Sequence, residues 1–351
     1  MATTASPLPT TIVAPAAAMI LPRPAVAAVV IGGSALAALA LPLWTYSTGL
    51  AVLGTAHVAT ELRFVEARFA TRMGPRLFWA MASLLLCVAT IRLLKLLELW
   101  GGTPAVRLEL GLVAALGALV LPALARAGRG PALAGLALIA ALTAGVALWP
   151  GQTLLLLAVL HNWTPVGFLA DGLPARERPA GRMLGLLAFV LVPLVLASGL
   201  PGQAMAALGA GWPELRWLPT GPLSRHLGAY LPEAWHAAPW ALPLFSAVVF
   251  TQCMHYATVI GVLPRLAPGG PRAPAVFGLS RVPRALFVGG VLALTLIGLW
   301  GYADDFSDTR RWYGLIAAVH AWIEVPVLML ALFPMIGRPA IGRPAAEARP
   351  T

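Results

Sequence analysis

Long apolar runs separated by short polar connections dominate the chain. The runs Ala25–Trp44 and Pro131–Trp149 carry no charged residue, and each meets the length of roughly 20 residues that a membrane-spanning helix needs. Strands of a membrane barrel alternate polar and apolar residues, whereas these runs are continuous. The pattern therefore predicts an all-α, polytopic integral membrane helix bundle of about ten spans, near residues 25–44, 47–68, 78–99, 105–125, 131–149, 152–170, 183–200, 240–263, 285–302 and 312–335.

Composition agrees with the pattern. Of the 351 residues, 59% are hydrophobic and only 11% are charged, whereas about 25% of residues in a soluble domain are charged. The net charge of +11 would indicate nucleic-acid binding in a soluble protein. Here the arginines lie between apolar spans, so we assign the charge to membrane topology and expect no nucleic-acid partner.

The arginines concentrate in every second connection, including Arg68, Arg76, Arg126 and Arg265. Because cytoplasmic loops are enriched in Arg and Lys, this alternation predicts ten spans with both termini in the cytoplasm. We expect a flexible leader over 1–24, a single helical domain over 25–335 and a disordered cytoplasmic tail over 336–351. Residues 201–239 form the longest polar connection, and their tryptophans are typical of an interfacial belt at the outer surface.

The source and location follow from residue usage. Lys95 is the single lysine beside many arginines, and Ala, Gly and Pro are abundant. This usage is typical of a GC-rich genome, so we expect a multi-pass protein of a bacterial inner (cytoplasmic) membrane. The sequence leaves the oligomeric state open.

Four even-numbered spans each carry one histidine, and two of these are followed by a glutamate four residues later. Ionisable groups at membrane depth are costly, so they indicate function by default. Equal offsets from the helix ends place all four histidines near the bilayer midplane. The histidines are His57, His161, His255 and His320, and the glutamates are Glu61 and Glu324.

The residue types favour a metal centre. Imidazole suits iron, copper or zinc, and a carboxylate one turn away can be a further ligand or can orient a ring N–H. We therefore predict His57, His161, His255 and His320 as metal ligands. Glu61, Glu324 and Tyr256 are the candidate catalytic residues, Thr251 is a candidate partner of His255, and Fe(II) is the favoured metal.

Three other functions are compatible with the same residues. Histidines on facing helices can bind haem b in pairs for electron transfer, and intramembrane His and Glu can relay protons in a carrier. A single buried histidine can also serve only as a hydrogen-bond partner between helices. His226 and His236 lie in the 201–239 connection and are not counted as ligands.

The stretch Gly54–Glu61, GTAHVATE, resembles the Gly-x-x-His-Gly-x-x-Asp signature of the Brp/Blh-like bacterial β-carotene 15,15′-dioxygenases. Gly54 and His57 match, while Val58 stands in place of glycine and Glu61 in place of aspartate. The resemblance covers short stretches around the histidines. It implies a membrane-embedded non-haem iron enzyme that uses O2 to cleave a lipophilic substrate, a carotenoid, which enters from the bilayer.

Overall fold

The computed structural model describes residues 19–211, 215–267 and 278–332. The described chain is all-helical, as predicted. Most of the leader, the tail over 336–351, Trp212 and Arg272 lie outside the described residues, so the predictions for them remain predictions.

The first half of the chain contains eight α-helices. They are α1 Pro24–Ala40, α2 Pro42–Thr48, α3 Gly54–Leu96, α4 Gly102–Ala118, α5 Leu121–Ala127, α6 Arg129–Leu148, α7 Pro150–Leu160 and α8 Thr164–Gly172. A π-helical segment, Gly49–Leu53, joins α2 to α3, and a 3-10 turn, His161–Trp163, joins α7 to α8. Within α3, Gly74 has a left-handed φ of 68° and Pro75 follows it, so the long helix breaks there.

The second half contains eight more. They are α9 Arg178–Leu186, α10 Val192–Ala197, α11 Leu200–Ala207, α12 Ser224–Leu227, α13 Ala241–Gly261, α14 Leu263–Leu266, α15 Arg284–Asp304 and α16 Phe306–Leu332. A second π-helical segment, Leu187–Leu191, joins α9 to α10. Short 3-10 turns cover Glu233–Trp235 and Leu279–Arg281.

Among the described residues, eight helical segments are long and apolar enough to cross a membrane, and they match the last eight predicted spans. The two remaining predictions, near 25–44 and 47–68, fall on less regular structure. Helix α1 has 17 residues, and residues 47–68 are divided among α2, the π-helical segment and the first part of α3. That part of α3 carries Glu61, Arg63, Glu66 and Arg68. The count of ten and the side on which the termini lie stay predictions.

Helices α3, α13 and α16 form the centre of the bundle. In the most apolar stretch of α13, 67% of the residues are buried inside the protein, against 6% in α6, so α6 leaves most of its surface exposed, as expected for a helix that faces lipid. Two hydrophobic clusters fill the interior, and along α13 one ends at Met254 and the other begins at Val259. His255 therefore lies at the boundary between the two clusters.

Two charged residues of α3 bond to a segment distant in the chain. The carboxylate of Glu66 accepts N–H bonds from Gly278 at 2.9 Å and Ser280 at 2.7 Å. Arg63 donates to the carbonyl of Val282 at 2.9 Å. Buried charges are stable only when paired and hydrogen-bonded, so these contacts hold α3 against residues 278–282.

Two ion pairs join further helices. Arg68 on α3 pairs with Asp171 on α8 at 2.7 Å. Arg92 on α3 donates twice to one oxygen of Glu109 on α4, at 2.8 and 2.6 Å. The same oxygen accepts the indole N–H of Trp322 on α16 at 3.0 Å, so Glu109 holds three helices together.

Residues 215–240, the cap segment, contact α2, α13 and α16. Trp217, Trp235 and Trp240 are exposed, as expected for an interfacial belt. Tyr230 of the same segment faces inward, because its hydroxyl donates to the Gln252 side chain on α13 at 2.5 Å. The cap segment is therefore tied to the interior of the bundle.

Candidate metal centre

Four histidines from separate parts of the chain meet in the middle of the bundle. His57 comes from α3, His161 from the 3-10 turn, His255 from α13 and His320 from α16. One ring nitrogen from each lies within 4.8 Å of the others. His57, His255 and His320 are at most 2% exposed, and the His161 side chain is 14% exposed. The fold thus brings four imidazole nitrogens, each able to bind a metal ion, into a space shielded from water.

The rings are packed against one another. His57 lies 5.3 Å from His255 and 4.9 Å from His320, measured between ring centroids. His161 lies 4.5 and 4.8 Å from the same two rings. Three of these four contacts are edge to face, so the rings fill the space between their helices.

Glu61 and Glu324 join the cluster, but their contacts cross between helices. Glu324 pairs with Nδ1 of His161 on the neighbouring 3-10 turn. Oε2 of Glu61 lies 3.5 Å from Nε2 of His255 and 3.8 Å from Nε2 of His320. The spacing of four residues on α3 and α16 correctly places both glutamates in the cluster. It predicts contacts within one helix, whereas the observed contacts join different elements.

Many polar atoms of this cluster have no hydrogen-bond partner among the described residues. These buried atoms are Nδ1 of His57, both carboxylate oxygens of Glu61, both ring nitrogens of His255, Nε2 of His320 and Oε1 of Glu324. Each such group left unsatisfied costs about 1–3 kcal/mol. A cation bound among them would supply the missing partner.

The spacing fits a cation. Two ligand atoms that each lie about 2.1 Å from one ion are about 3.0 Å apart at right angles and about 4.2 Å apart when opposite. The 3.5 and 3.8 Å separations around Glu61 fall within this range, and the 4.8 Å limit of the histidine set exceeds it by about half an ångström. A small inward movement of the rings would therefore bring all four nitrogens within bonding distance of one ion.

Hydrogen bonds fix two of the ring orientations. Nδ1 of His320 lies 2.7 Å from the carbonyl of Ala317 on its own helix, so it carries the proton and leaves the lone pair on Nε2. Nδ1 of His161 donates to Glu324 in the same way. A histidine held by a carboxylate or carbonyl through its other nitrogen is the usual arrangement around a metal ion.

Formal charge is consistent with a divalent ion. The two carboxylates contribute two negative charges, and the four imidazoles are neutral as ligands. A divalent cation at this site would offset that negative charge, which is costly to bury uncompensated.

Tyr256 supports the site instead of facing an open space. Its ring lies 4.2 Å from that of His57, and its hydroxyl accepts the side-chain N–H of Gln252 at 2.7 Å. The predicted contact between Thr251 and His255 is wrong, because the Thr251 hydroxyl donates to the carbonyl of Val248 at 2.7 Å. Tyr256 therefore contacts one of the predicted ligands, and its catalytic role stays a prediction.

All five tyrosines of the chain belong to one connected group beside the histidines. Tyr256 is hydrogen-bonded to Tyr313, and Gln252 links it to Tyr230. Tyr46 lies 5.9 Å from Tyr230, and Tyr302 joins through Phe306. Neither Tyr230 nor Tyr313 is predicted from the sequence to lie near the site. The one sequence signal is that Tyr313 lies two helical turns before His320.

Irregular backbone accompanies two parts of the site, the 3-10 turn that carries His161 and the segment before the stretch that carries His57. The π-helical segment Gly49–Leu53 ends just before Gly54, and such segments often accompany functional sites. A Cβ on Gly54 would lie 3.1 Å from the ring of Tyr313. A side chain at position 54 would crowd the ring, which gives a physical reason for glycine in the Gly54–Glu61 stretch.

His226 lies outside the metal cluster, as predicted, and is buried in the cap segment. Its Nε2 donates to the carbonyl of Thr220 at 2.8 Å, and its Nδ1 faces the Arg310 guanidinium at 3.4 Å. Burial lowers the pKa of His226 most, and Arg310 lowers it further, although the bond to Thr220 opposes them.

This arrangement predicts loss of stability of the cap segment in acid. The unfolded chain takes up the His226 proton near pH 6.5, and the folded cap does so only at lower pH. The stability of the cap is therefore complete above about pH 6.5 and falls below it, by up to about 1.4 kcal/mol per pH unit. Limited proteolysis of the cap segment between pH 7.5 and 5 measures this. His226→Gln should remove most of the dependence and His236→Gln should retain it; equal profiles for the two variants would contradict the assignment.

Comparisons with known proteins add no assignment. No protein-family model, curated protein or solved structure matches the chain. The functional conclusion therefore rests on the residues and their geometry.

Proposed function

We propose that this protein is a membrane-embedded, histidine-ligated non-haem iron oxygenase that acts with O2 on a lipophilic substrate. The observation that carries the proposal is the set of four histidine nitrogens within 4.8 Å of one another, contributed by four parts of the chain and shielded from water. Imidazole donors with carboxylate support suit iron, and copper is the alternative with the same donor preference.

The chain's own residues have separable roles in this proposal. His57, His161, His255 and His320 would hold the metal. Glu324 fixes the ring of His161 by accepting its Nδ1–H. Glu61 supplies a carboxylate facing His255 and His320. When bound, Fe(II) would supply the chemistry that activates O2, and the surrounding helices would exclude water from it.

The substrate class comes from the resemblance of Gly54–Glu61 to the Brp/Blh-like dioxygenases. We infer a carotenoid, cleaved at a central double bond so that each carbon takes one oxygen atom of O2 and two aldehyde groups form. Apolar helix surfaces such as that of α6 face the bilayer, which supports entry of the substrate from the lipid.

The geometry supports the two alternative functions less well. A haem needs a slot between its axial histidines that is wide enough for a porphyrin, whereas the four rings here pack against each other. A proton carrier would expose its glutamates to water, and Glu61 and Glu324 are 0% and 1% exposed.

Labelled oxygen tests the proposal. Purified protein loaded with Fe(II) under anaerobic conditions receives β-carotene in detergent and then 18O2. We expect two aldehyde groups from each cleaved carotenoid, each with one labelled oxygen, and no aldehyde with the His57→Ala variant. Iron-loaded protein that consumes no O2 with carotenoids would contradict the proposed substrate class.

A further inference from the structure

The metal cluster contains more donors than one ion needs. Two sets of four donor residues each lie within 4.8 Å, one made of the four histidines and one made of Glu61, His255, His320 and Glu324. His255 and His320 belong to both sets. Together the sets comprise six residues with one ligand atom each.

The two sets are separate groups of mutually close ligand atoms, although they share two histidines. His57 and Glu61 are four residues apart on α3, and His320 and Glu324 are four apart on α16. Residues four apart lie on one helix face, so the donors continue along that face from one set to the other.

One ion at the histidine set would leave the carboxylate end unsatisfied. Glu61 is 0% exposed, and neither of its oxygens has a hydrogen-bond partner among the described residues. Oε1 of Glu324 is in the same state, while Oε2 pairs with His161. A buried carboxylate needs a cation or hydrogen-bond donors, and a second cation at this end would supply such a partner.

One ion that bound all six residues would also be inconsistent with the proposed chemistry. Six protein donors fill an octahedron and leave no position for O2 or substrate. Divided between two ions, the same six donors give three each, and both ions retain open positions. Ions in such paired sites lie about 3.5–4 Å apart.

We propose that the centre holds two divalent transition-metal ions. His57 and His161 bind the first ion, and Glu61 and Glu324 bind the second. His255 and His320 lie between the two ions, and each ion takes one of them. The inference rests on the proposed function, since it specifies the occupancy of the same site. It concerns metal binding alone and does not depend on the substrate.

Metal stoichiometry tests the inference. Protein purified without metal and titrated anaerobically with Fe(II), or with Mn(II) for magnetic resonance, should bind two ions per chain, with spin coupling between them. Glu61→Gln should bind one ion and lose the coupling, because an amide is a much weaker ligand than a carboxylate. Glu66→Gln is the matched control, since Glu66 is a buried glutamate of the same helix outside the cluster, and it should still bind two.

The possible outcomes distinguish failure of this inference from failure of the proposed function. One ion per chain in the unmodified protein, with Glu61→Gln unchanged, would overturn the two-ion centre and leave the oxygenase proposal standing. Zero ions per chain would overturn both. Two ions retained by Glu61→Gln would overturn the assignment of the carboxylate set.

Discussion

His255→Ala should abolish stoichiometric metal binding. His255 is 0% exposed, belongs to both donor sets, and neither ring nitrogen has a hydrogen-bond partner among the described residues. Mutation of residues that only orient a ligand costs about 10–100-fold in metal affinity, so removal of a direct donor should cost more than about 100-fold. Metal titration of the purified variant, followed by elemental analysis, measures the loss.

His236→Ala is the matched control. His236 lies in the cap segment, where its Nε2 bonds the carbonyl of Leu231 at 3.1 Å, and it should leave the metal content unchanged. Equal metal content in His255→Ala and unmodified protein would show that His255 is only a packed polar side chain.

Glu109→Ala should reduce the stability of the folded protein by about 3–5 kcal/mol, the range for breaking one partner out of a buried ion pair. The side chain of Glu109 is fully buried, and its Oε1 accepts bonds from Arg92 and Trp322. The variant leaves a partly buried guanidinium and a buried indole N–H without their acceptor. Denaturant unfolding in a fixed detergent measures the change.

Glu98→Ala provides the comparison. Glu98 pairs with Arg311 at 3.3 Å, but its side chain is 80% exposed, and exposed pairs contribute little. Its unfolding midpoint should stay close to that of the unmodified protein. A Glu109→Ala midpoint equally close to it would show that the link among α3, α4 and α16 is not a main source of stability.

The sequence is informative about membrane segments and donor residues for a simple reason. A polar residue in an apolar run is conspicuous, and its offset from the helix ends fixes its depth. Depth and residue type alone therefore select His57, His161, His255 and His320, and the fold brings their ring nitrogens together. The last eight predicted spans likewise follow from length and hydropathy.

The rotation of each helix about its axis is not predictable from the same pattern. Depth does not say which neighbour a side chain faces, so the sequence does not reveal the pairing of Glu324 with His161 on another element. The four-residue spacing within α16 predicts a contact of Glu324 with His320 instead. The same uncertainty hides the partners of Glu66 and Arg92, whose burial depends on segments distant in the chain.

The least regular span is also the hardest to place by hydropathy. The first part of α3 carries Glu61, Arg63, Glu66 and Arg68 because it lies at the centre of the bundle and makes polar contacts there. Its reduced hydropathy thus reflects one donor of the cluster, Glu61, and three residues that bond to other segments of the chain. The tryptophans of the cap segment likewise indicate only a surface position, and the inward contact of Tyr230 with Gln252 has no periodic signal.

Iron content and the absorption spectrum of detergent-purified protein test the central claim most directly. A histidine-ligated non-haem centre predicts at least one iron per chain without a Soret band, because that band requires a porphyrin. A Soret band would assign the histidines to haem. Freshly prepared protein that holds no metal and binds none on anaerobic titration would contradict the metal centre itself.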